Sequence, residues 1–160
     1  MTVLKENTIR QILESVTDPE IPVLTIIDLG IIRNIAFLKE EDCWEIQISP
    51  TYSGCPAMDM IFTQIRMTLF SHDISNFRIK QVLSPAWTTD WMTEAGKEKL
   101  KAYGIAPPDH YAGKPTGNTV VCPNCGSSHT RMISEFGSTA CKSLYKCDDC
   151  LEPFDYFKCH

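Results

Sequence analysis

The stretch Ser49-Pro-Thr-Tyr-Ser-Gly-Cys-Pro-Ala-Met-Asp-Met60 joins a predicted strand to a predicted helix. Before it, residues 43–48 alternate apolar and polar side chains, which is typical of a half-buried strand. After it, residues 57–70 carry apolar side chains at helical spacing. Pro56 suits the first position of a helix, where its missing N–H has no hydrogen bond to lose. The sequence therefore predicts a tight strand-to-helix loop with Cys55 at the helix N-cap.

Two interpretations of Cys55 follow from this position. At the N-terminus of a helix, a sulfur lies near the positive end of the helix dipole and beside backbone N–H groups without partners. Such surroundings stabilise a thiolate, which is the form that attacks electrophiles and binds metals. Alternatively, Cys55 is a small buried side chain that packs in the corner between strand and helix. The local pattern alone favours neither interpretation.

Other patterns extend this unit into an α+β fold. Helices are predicted at 8–16, with Asn7 or Thr8 as the N-cap, and at 93–103, and strands at 31–37 and 77–83. This order predicts a small mixed sheet covered by helices, and paired cysteines in the C-terminal part predict that a small β zinc ribbon follows it. The stretch from Gly104 to Asn118 is rich in proline and glycine and is predicted to be a linker. We therefore expect an α+β domain at 1–104, a linker at 105–118 and a ribbon at 119–160.

Two Cys-x-x-Cys pairs are the strongest chemical signal in the chain. Their cysteines have the spacing of one tetrahedral four-cysteine site: Cys122, Cys125, Cys147 and Cys150. A module of this size has too small a core to fold alone, so a metal ion would supply much of its stability. Zinc is favoured because four-cysteine sites in ribbons are closed and redox-silent. Spacing alone leaves an iron–sulfur cluster open.

Three further potential ligands lie in the C-terminal part. Cys141, Cys159 and His160 together would suffice for a second metal site. The simpler interpretation is that Cys141 packs within the ribbon strands while residues 159 and 160 belong to a mobile tail. The sequence favours the simpler interpretation.

Composition excludes several classes of protein. The chain has 160 residues, 43% of them hydrophobic and 22% charged, which is ordinary for a globular protein. A net charge of −5 does not favour binding to nucleic acid or to anionic membranes. No apolar run approaches the roughly 18 residues of a membrane span, and the first residues lack the apolar core of a signal peptide. Eight cysteines without a secretion signal indicate a reducing cytoplasm.

Several motifs resemble known families. Asp18-Pro-Glu-Ile-Pro22, Asp28-Leu-Gly30 and Thr51-x-x-x-Cys55-Pro56 are similar to the metal–sulfur cluster assembly domain of SufT-like proteins and of cytosolic iron–sulfur targeting factors. The wider pattern resembles the PaaD family of bacterial phenylacetate degradation. Four stretches carry that likeness: Pro50-Thr-Tyr-Ser-Gly-Cys-Pro56, Pro85-Ala-Trp-Thr-Thr-Asp-Trp91, Glu135 to Cys147, and Glu152 to His160.

The resemblance implies a maturation or assembly factor rather than an enzyme. Its clients would be subunits of the multicomponent phenylacetyl-CoA 1,2-epoxidase, whose centres are iron–sulfur or di-iron. Cys55 occupies the family's cysteine position and would hold iron, a persulfide or an iron–sulfur cluster transiently. The same motifs contain possible supporting residues, namely Asp18, Glu20, Asp28 and Thr51. For the three acidic residues, a purely structural role in turns and caps remains at least as good an interpretation.

Two other functions remain open from the sequence. The first is a thiol-dependent enzyme or an auxiliary subunit of the oxygenase complex, with Cys55 as its nucleophile or redox thiol. No second cysteine stands at Cys-x-x-Cys spacing from Cys55, which argues against a thioredoxin-like site. The second is a ribbon that binds nucleic acid. It ranks last because the ribbon has no stripe of basic residues.

Overall fold

The computed structural model describes residues 5–108 and 120–158. Contacts divide the chain into two compact units, with residues up to Trp87 and Trp91–Thr93 in the first, and Thr88–Asp90 and everything from Glu94 onwards in the second. Each unit has its own sheet. The α+β class, with a mixed sheet and a C-terminal ribbon, is confirmed.

The first unit contains two helices and one sheet among its described residues. Helix α1 spans Glu6–Leu13 and helix α2 spans Ala57–Ser71. The strands are β1 (Ile32–Leu38), β2 (Cys43–Ile48) and β3 (Phe77–Gln81). Strand β1 pairs antiparallel with β2, and β2 pairs parallel with β3. The parallel pairing needs a crossover, which α2 supplies.

The core of this unit lies between one sheet face and the two helices. Ile35 and Ile46 face each other across β1 and β2. Both are buried together with Ile9 and Leu13 of α1 and Ile61, Ile65 and Leu69 of α2. The opposite sheet face is polar because β2 alternates, and there Glu45 lies between Ala36 and Arg78. The helices therefore cover one sheet face.

Helix α1 begins and ends earlier than the sequence predicts. It starts at Glu6 after Lys5, and no side chain caps it, so the prediction of Asn7 or Thr8 as N-cap is wrong. Its apolar spacing continues to Val16, but residues 14–17 leave the helix and Thr17 bridges Thr25. Val16 is nevertheless buried. The apolar pattern therefore predicts burial correctly and helix length incorrectly.

The second unit contains one helix and a four-stranded sheet among its described residues. After a short 3-10 helix at Thr89–Trp91, helix α3 spans Glu94–Ala102. The strands are β4 (Ile105–Ala106), β5 (Thr130–Ser134), β6 (Lys142–Cys147) and β7 (Pro153–Phe157), in the order β4-β7-β6-β5. Strands β5, β6 and β7 are antiparallel neighbours, while β4 runs parallel to β7.

The expected linker at 105–118 differs from the structure at its start. Ile105 and Ala106 are buried and form β4, and α3 groups with the C-terminal unit. Residues 109–118 lie outside the described residues. The boundaries at 104 and 119 therefore stay predictions.

Candidate functional site

Three loops emerge at one edge of the first sheet. The start of β1, the end of β2 and the end of β3 lie side by side, because Ile32 pairs with Ile48 and Ile48 pairs with Gln81. The amide of Ser49 donates to the carbonyl of Ile31 (2.9 Å), and the amide of Val82 donates to that of Ile48 (2.8 Å). The Asp28–Gly30 motif, the loop that carries Cys55 and the segment after β3 therefore all leave the sheet at the same edge.

Asp28 is buried and held by two segments of the chain. Its Oδ2 accepts the amide of Thr25 (3.0 Å), while its own amide donates to Thr25 Oγ1 (3.0 Å). On the other side, Thr93 donates its hydroxyl to Asp28 Oδ1 (3.2 Å) and its amide to the Asp28 carbonyl (2.9 Å). A buried carboxylate needs such donors. These contacts support a structural role for Asp28 in tying residues 25–30 to Thr93.

Two tryptophans fix the same motif. The Trp87 indole N–H donates to the Leu29 carbonyl (2.8 Å) in a buried hydrogen bond. Trp91 lies under Arg33, whose guanidinium carbon is 3.4 Å from the ring centroid, and its carbonyl lies against Gly30. In the sequence, Trp87 and Trp91 stand out only as members of the quoted family motif. Their contacts with Leu29 and Gly30 give both tryptophans a structural role.

The Asp18 side chain stabilises the turn at residues 18–22. Its Oδ1 accepts the amides of Glu20 and Ile21, both at 2.7 Å. This arrangement is an Asx turn, in which an aspartate side chain imitates a backbone acceptor. Three of the predicted supporting residues are half-buried: Asp18, Glu20 and Thr51. For Asp18, the observed contacts support the structural interpretation.

Cys55 is half-buried at the entrance to α2. The structure places Pro56 at the N-cap, so the prediction of Cys55 as N-cap is off by one residue. Its amide donates to the Tyr52 carbonyl (3.3 Å), and its carbonyl accepts the amide of Met58 (3.2 Å). Gly54 just before it is exposed and has a φ of +77°. Cys55 as a whole is thus not fully buried in the core.

The four cysteines of the ribbon converge. Cys122 lies before β5, Cys147 ends β6, and all four sulfur atoms lie within 4.8 Å of one another. Sγ of Cys122 is 3.8 Å from that of Cys150, and Sγ of Cys125 is 3.6 Å from that of Cys147. Zinc–sulfur bonds of about 2.3 Å in a tetrahedron set sulfur–sulfur distances of about 3.8 Å. The four residues therefore fit a single tetrahedral zinc ion.

This spacing also bears on the iron–sulfur alternative. In a cluster, the four cysteines are divided among two or four irons, so at least some pairs of sulfurs lie further apart than they do around one ion. The observed sulfur distances match a mononuclear site instead. Among the described residues, no second group of three or more His, Cys, Asp or Glu ligands converges in this way. Cys55 and the acidic residues of the N-terminal motifs therefore do not form a second chelating cluster.

The sulfurs differ in their affinity for protons. The backbone N–H of Cys150 points at Cys147 Sγ (3.5 Å) and lowers the pKa of Cys147 to about 7. For Cys150, the amide of Glu152 favours the thiolate, but burial and the neighbouring sulfurs raise its pKa to about 12. Four adjacent thiolates repel one another without a cation between them. Metal binding at this site therefore displaces protons.

The metal ligands are also part of the ribbon's apolar core. Cys122 and Cys147 are fully buried and pack with Val120, Ala106 and Phe154. Tyr145 and Tyr156 pack against the same cluster. This core is small for a module of this length, so metal binding and folding are coupled here.

Hydrogen bonds among three polar residues link the two Cys-x-x-Cys turns: Ser127, His129 and Asp149. The Ser127 hydroxyl donates to Asp149 Oδ2 and accepts the amide of His129 (2.9 Å). His129 Nδ1 lies 3.2 Å from Asp149 Oδ1. These contacts hold the pKa of the Asp149 carboxyl below its usual range, chiefly through the Ser127 hydroxyl. His129 is exposed and contacts the opposite cysteine turn through Asp149.

The suggested second metal site is only partly within the described residues. Cys141 is buried and its sulfur lies 3.0 Å from Thr139 Oγ1. Cys159 and His160 lie outside the described residues. A second site therefore stays a prediction, while packing of Cys141 agrees with the simpler interpretation.

Comparison with known proteins identifies both parts of the chain. The "Iron-sulfur cluster assembly protein" family matches residues 6–71, and the "PaaD zinc beta ribbon domain" matches residues 106–158. The chain is 51% identical over 149 residues to an Escherichia coli protein that is described as one subunit of a "Putative 1,2-phenylacetyl-CoA epoxidase". That match covers 92% of this chain and 89% of the relative. The chain belongs to the PaaD family.

The first unit has further relatives outside the PaaD family. A "Fe-S protein maturation auxiliary factor" of Porphyromonas gingivalis is 33% identical over 96 residues, covering 59% of this chain and 90% of the relative. The solved structure of a DUF59 domain from Bacillus anthracis superposes with a TM-score of 0.55 at 25% identity, covering 59% of this chain and 90% of that one. These relatives match about three fifths of this PaaD-family chain.

The two units of the PaaD-family chain thus have distinct chemistry. The chain combines an iron–sulfur assembly-like domain with a zinc ribbon whose four cysteines form a metal-binding group. It is a homologue of a phenylacetyl-CoA epoxidase subunit. Within the described part of the chain, no helix is both long and apolar enough to cross a membrane.

Proposed function

We propose that the protein is a maturation factor for the metal centres of the phenylacetyl-CoA 1,2-epoxidase complex. In this function, Cys55 binds iron, a persulfide or a nascent iron–sulfur cluster and passes it to an epoxidase subunit. The ribbon, held by zinc, contacts the client. The cargo is a substrate of this reaction and not a resident cofactor. The protein would act in the cytoplasm, the reducing compartment that its cysteine usage favours.

The position of Cys55 is the observation that carries the proposal. The residue is half-buried, follows the exposed Ser53 and Gly54, and precedes the first turn of helix α2. It lies within residues 6–71, the range that matches the iron–sulfur cluster assembly family. A thiolate at such a site is a ligand for iron. The proposal therefore places the cargo where a client protein can reach it.

The absence of a second chelating cluster around Cys55 suits transfer rather than storage. Among the described residues, only the ribbon cysteines converge as a group of three or more ligands. A single thiolate holds a metal less firmly than four thiolates do, because each further protein ligand adds to the binding free energy. Cargo on Cys55 can therefore move to a client that offers more ligands.

The experiment compares Cys55→Ser with Cys43→Ser. Both cysteines are free and half-buried in the first unit, but only Cys55 is at the proposed site. We expect Cys55→Ser to leave the fold and the zinc content unchanged while the iron content and activity of the co-expressed epoxidase fall at least tenfold, by an order-of-magnitude estimate. Cys43→Ser should leave both near the native level. A fully metallated client with Cys55→Ser would refute the proposal.

One observation favours a second function. The relative in Escherichia coli is described as an epoxidase subunit, which suits an auxiliary subunit that stays in the complex and uses Cys55 as a thiol. The two functions differ in stoichiometry and timing. A maturation factor can be removed once the client is metallated, whereas a subunit is needed in every turnover. Adding purified protein to a metallated epoxidase that lacks it distinguishes them, since only a subunit raises the initial rate.

A further inference from the structure

Helix α2 exposes an apolar stripe on the side that faces away from the core. Ile61, Ile65 and Leu69 are buried against the sheet. On the outer side, Met60 and Met67 are 53% and 67% exposed. Thr63 lies between them, also exposed. Residues spaced three and four apart share one helix face, so these three side chains form a continuous outer stripe.

The flank of this stripe carries the two charges of the helix. Asp59 and Arg66 are the charged residues between Ala57 and Ser71, and both are exposed. They are seven residues apart, so they lie on the same flank, two turns from each other. Neither forms an ion pair with another described residue. The flank therefore presents a negative charge near the start of the helix and a positive charge further along it.

We propose that a second copy of this chain covers this face, with the two α2 helices crossing antiparallel about a two-fold axis at Thr63. Thr63 is the midpoint of the pattern, because Met60 and Met67 lie on either side of it, as do Asp59 and Arg66. A two-fold axis there places Met60 against Met67 of the partner subunit. It also places Asp59 against Arg66 of the partner subunit. Symmetry repeats both contacts.

The charges select this orientation over a parallel one. In an antiparallel pair, the same flank of each helix faces the other, so opposite charges meet twice. In a parallel two-fold pair, each flank instead faces the opposite flank of the other helix, so Met60 and Met67 meet Asp59 and Arg66 of the partner subunit and neither charge meets an opposite charge. The small side chain of Thr63 at the crossing lets the backbones approach, and the methionines adapt their shape to each other. Chemistry and spacing thus agree on one geometry.

The size of the contact sets its strength. One pair of crossed helices buries less than the roughly 800 Å² per partner of a standard interface. We therefore expect a reversible dimer with a dissociation constant on the order of 100 μM. Phe70, which is also exposed, already contacts the Phe77 ring (5.4 Å between centroids) and lies away from the crossing. The dimer therefore forms only at high local concentration.

The arrangement also determines where the two Cys55 thiols lie. Cys55 precedes Thr63 by two turns, or about 12 Å of helix axis. Antiparallel crossing puts the two sulfurs at opposite ends of the helix pair, on the order of 20 Å apart. No disulfide between Cys55 and Cys55 of the partner subunit can then hold the dimer together. Self-association should therefore be the same with and without a reductant and in Cys55→Ser.

Charge reversal on the zinc-loaded full chain tests the proposal. Sedimentation equilibrium across roughly 10–500 μM gives the dissociation constant. Asp59→Arg and Arg66→Asp each make both ion pairs repulsive and should weaken the dimer about three- to tenfold. The double variant Asp59→Arg/Arg66→Asp restores opposite charges and should return to within about twofold of the native value. Lys39→Asp reverses an exposed charge in a turn outside α2 and controls for the change in net charge.

A second variant removes the apolar contact instead of the charges. Met67→Glu puts a charge against Met60 of the partner subunit and should abolish the dimer, while circular dichroism and thermal unfolding confirm that the monomer remains folded. A native chain that is monomeric throughout the concentration range overturns the proposal, as does a dimer that ignores both single reversals. A monomeric chain whose binding to an epoxidase subunit is lost in Met67→Glu also overturns it and assigns the face to that client.

Discussion

Gly30 lies so close to Trp91 that a Cβ atom at position 30 would be 2.0 Å from the Trp91 carbonyl oxygen. Gly30 also has a φ of +68°, a conformation that side chains disfavour. The two residues before Gly30 bind the same segment: the Leu29 carbonyl accepts the Trp87 indole N–H, and the Asp28 carboxylate accepts the Thr93 hydroxyl. The backbone at the sheet edge is therefore fixed by a segment that follows β3.

Gly30→Ala should be strongly destabilising. The added methyl group meets backbone atoms that cannot move aside, and the positive φ adds about 1–2 kcal/mol. We expect the free energy of unfolding of the first unit to fall by more than about 3 kcal/mol, as for other severe backbone clashes. Urea denaturation followed by tryptophan fluorescence measures this, since Trp87 and Trp91 lie at the contact.

Gly54→Ala is the matched control for the backbone cost alone. Gly54 has a similar φ of +77°, but a Cβ atom there meets nothing within 4 Å. The expected loss is therefore only the conformational cost of about 1–2 kcal/mol. Equal losses at both positions would show that the approach to Trp91 does not matter.

Loss of one ribbon cysteine should release the metal ion. Cys147→Ser removes a buried ligand whose pKa is the lowest resolved among the four. We expect zinc content to fall from about one ion per chain to less than about 0.2, and the ribbon to unfold, because its core contains the ligands themselves. Metal analysis and near-ultraviolet circular dichroism measure the two effects.

Cys141→Ser provides the control for that prediction. Cys141 is also buried in the ribbon, but its sulfur contacts Thr139 and lies outside the four-cysteine group. The variant should keep its full zinc content and a folded ribbon. Loss of zinc in Cys141→Ser would instead support the second metal site suggested by the sequence.

Glu45 should give the first unit a pH-dependent stability. The Gln47 amide donates to Glu45 Oε1 (2.7 Å) and Arg78 binds Oε2 through two nitrogens at 2.7 Å. These contacts hold the pKa of Glu45 below its ordinary value of 4.5. A depressed pKa stabilises the fold above the unfolded pKa and loses that contribution as the pH falls through the folded value.

Glu45→Gln tests this sign. The variant should be less stable than the native chain at pH 7, and the difference should shrink as the pH falls below 4.5. Urea midpoints across the acid range provide the measurement. Glu40→Gln, an exposed change in the same hairpin turn, should show no comparable convergence. A constant difference at every pH would mean that Glu45 acts through packing and not through its charge.

Trp87→Phe isolates one buried hydrogen bond. The indole N–H of Trp87 donates to the Leu29 carbonyl at 2.8 Å, and the side chain is buried. Phenylalanine keeps most of the apolar surface but leaves that carbonyl without its donor, which costs about 1–3 kcal/mol. Denaturant titration should show this loss, whereas Trp44→Phe, at a half-buried aromatic pair with Phe37, should cost less.

Local patterns predict the parts of this protein that depend on neighbouring residues in sequence. The strand at 43–48, helix α2 and the four-cysteine group follow from alternation, helical spacing and paired cysteines. The parallel β2–β3 pairing agrees with the expected mixed sheet. These features are encoded within a few residues or by a repeated ligand pattern.

Features that depend on distant contacts were not predicted. Strand β4 has only two residues, and it forms because Ile105 and Ala106 pair with Asp155 and Tyr156 far along the chain. Asp28 looks like any acidic residue in a turn until Thr93 is found beside it. No spacing rule reveals such partners, because the fold alone brings them together.

The closed cage of four sulfurs has a consequence for a protein that would also handle iron. A zinc ion inside it is coordinatively saturated and offers no vacant position to an incoming ligand. Under the proposed function, iron on Cys55 and zinc in the ribbon would have different ligand sets, so neither would exchange readily for the other. The different ligand sets would keep iron from replacing the structural zinc ion while iron binds to Cys55 and leaves it.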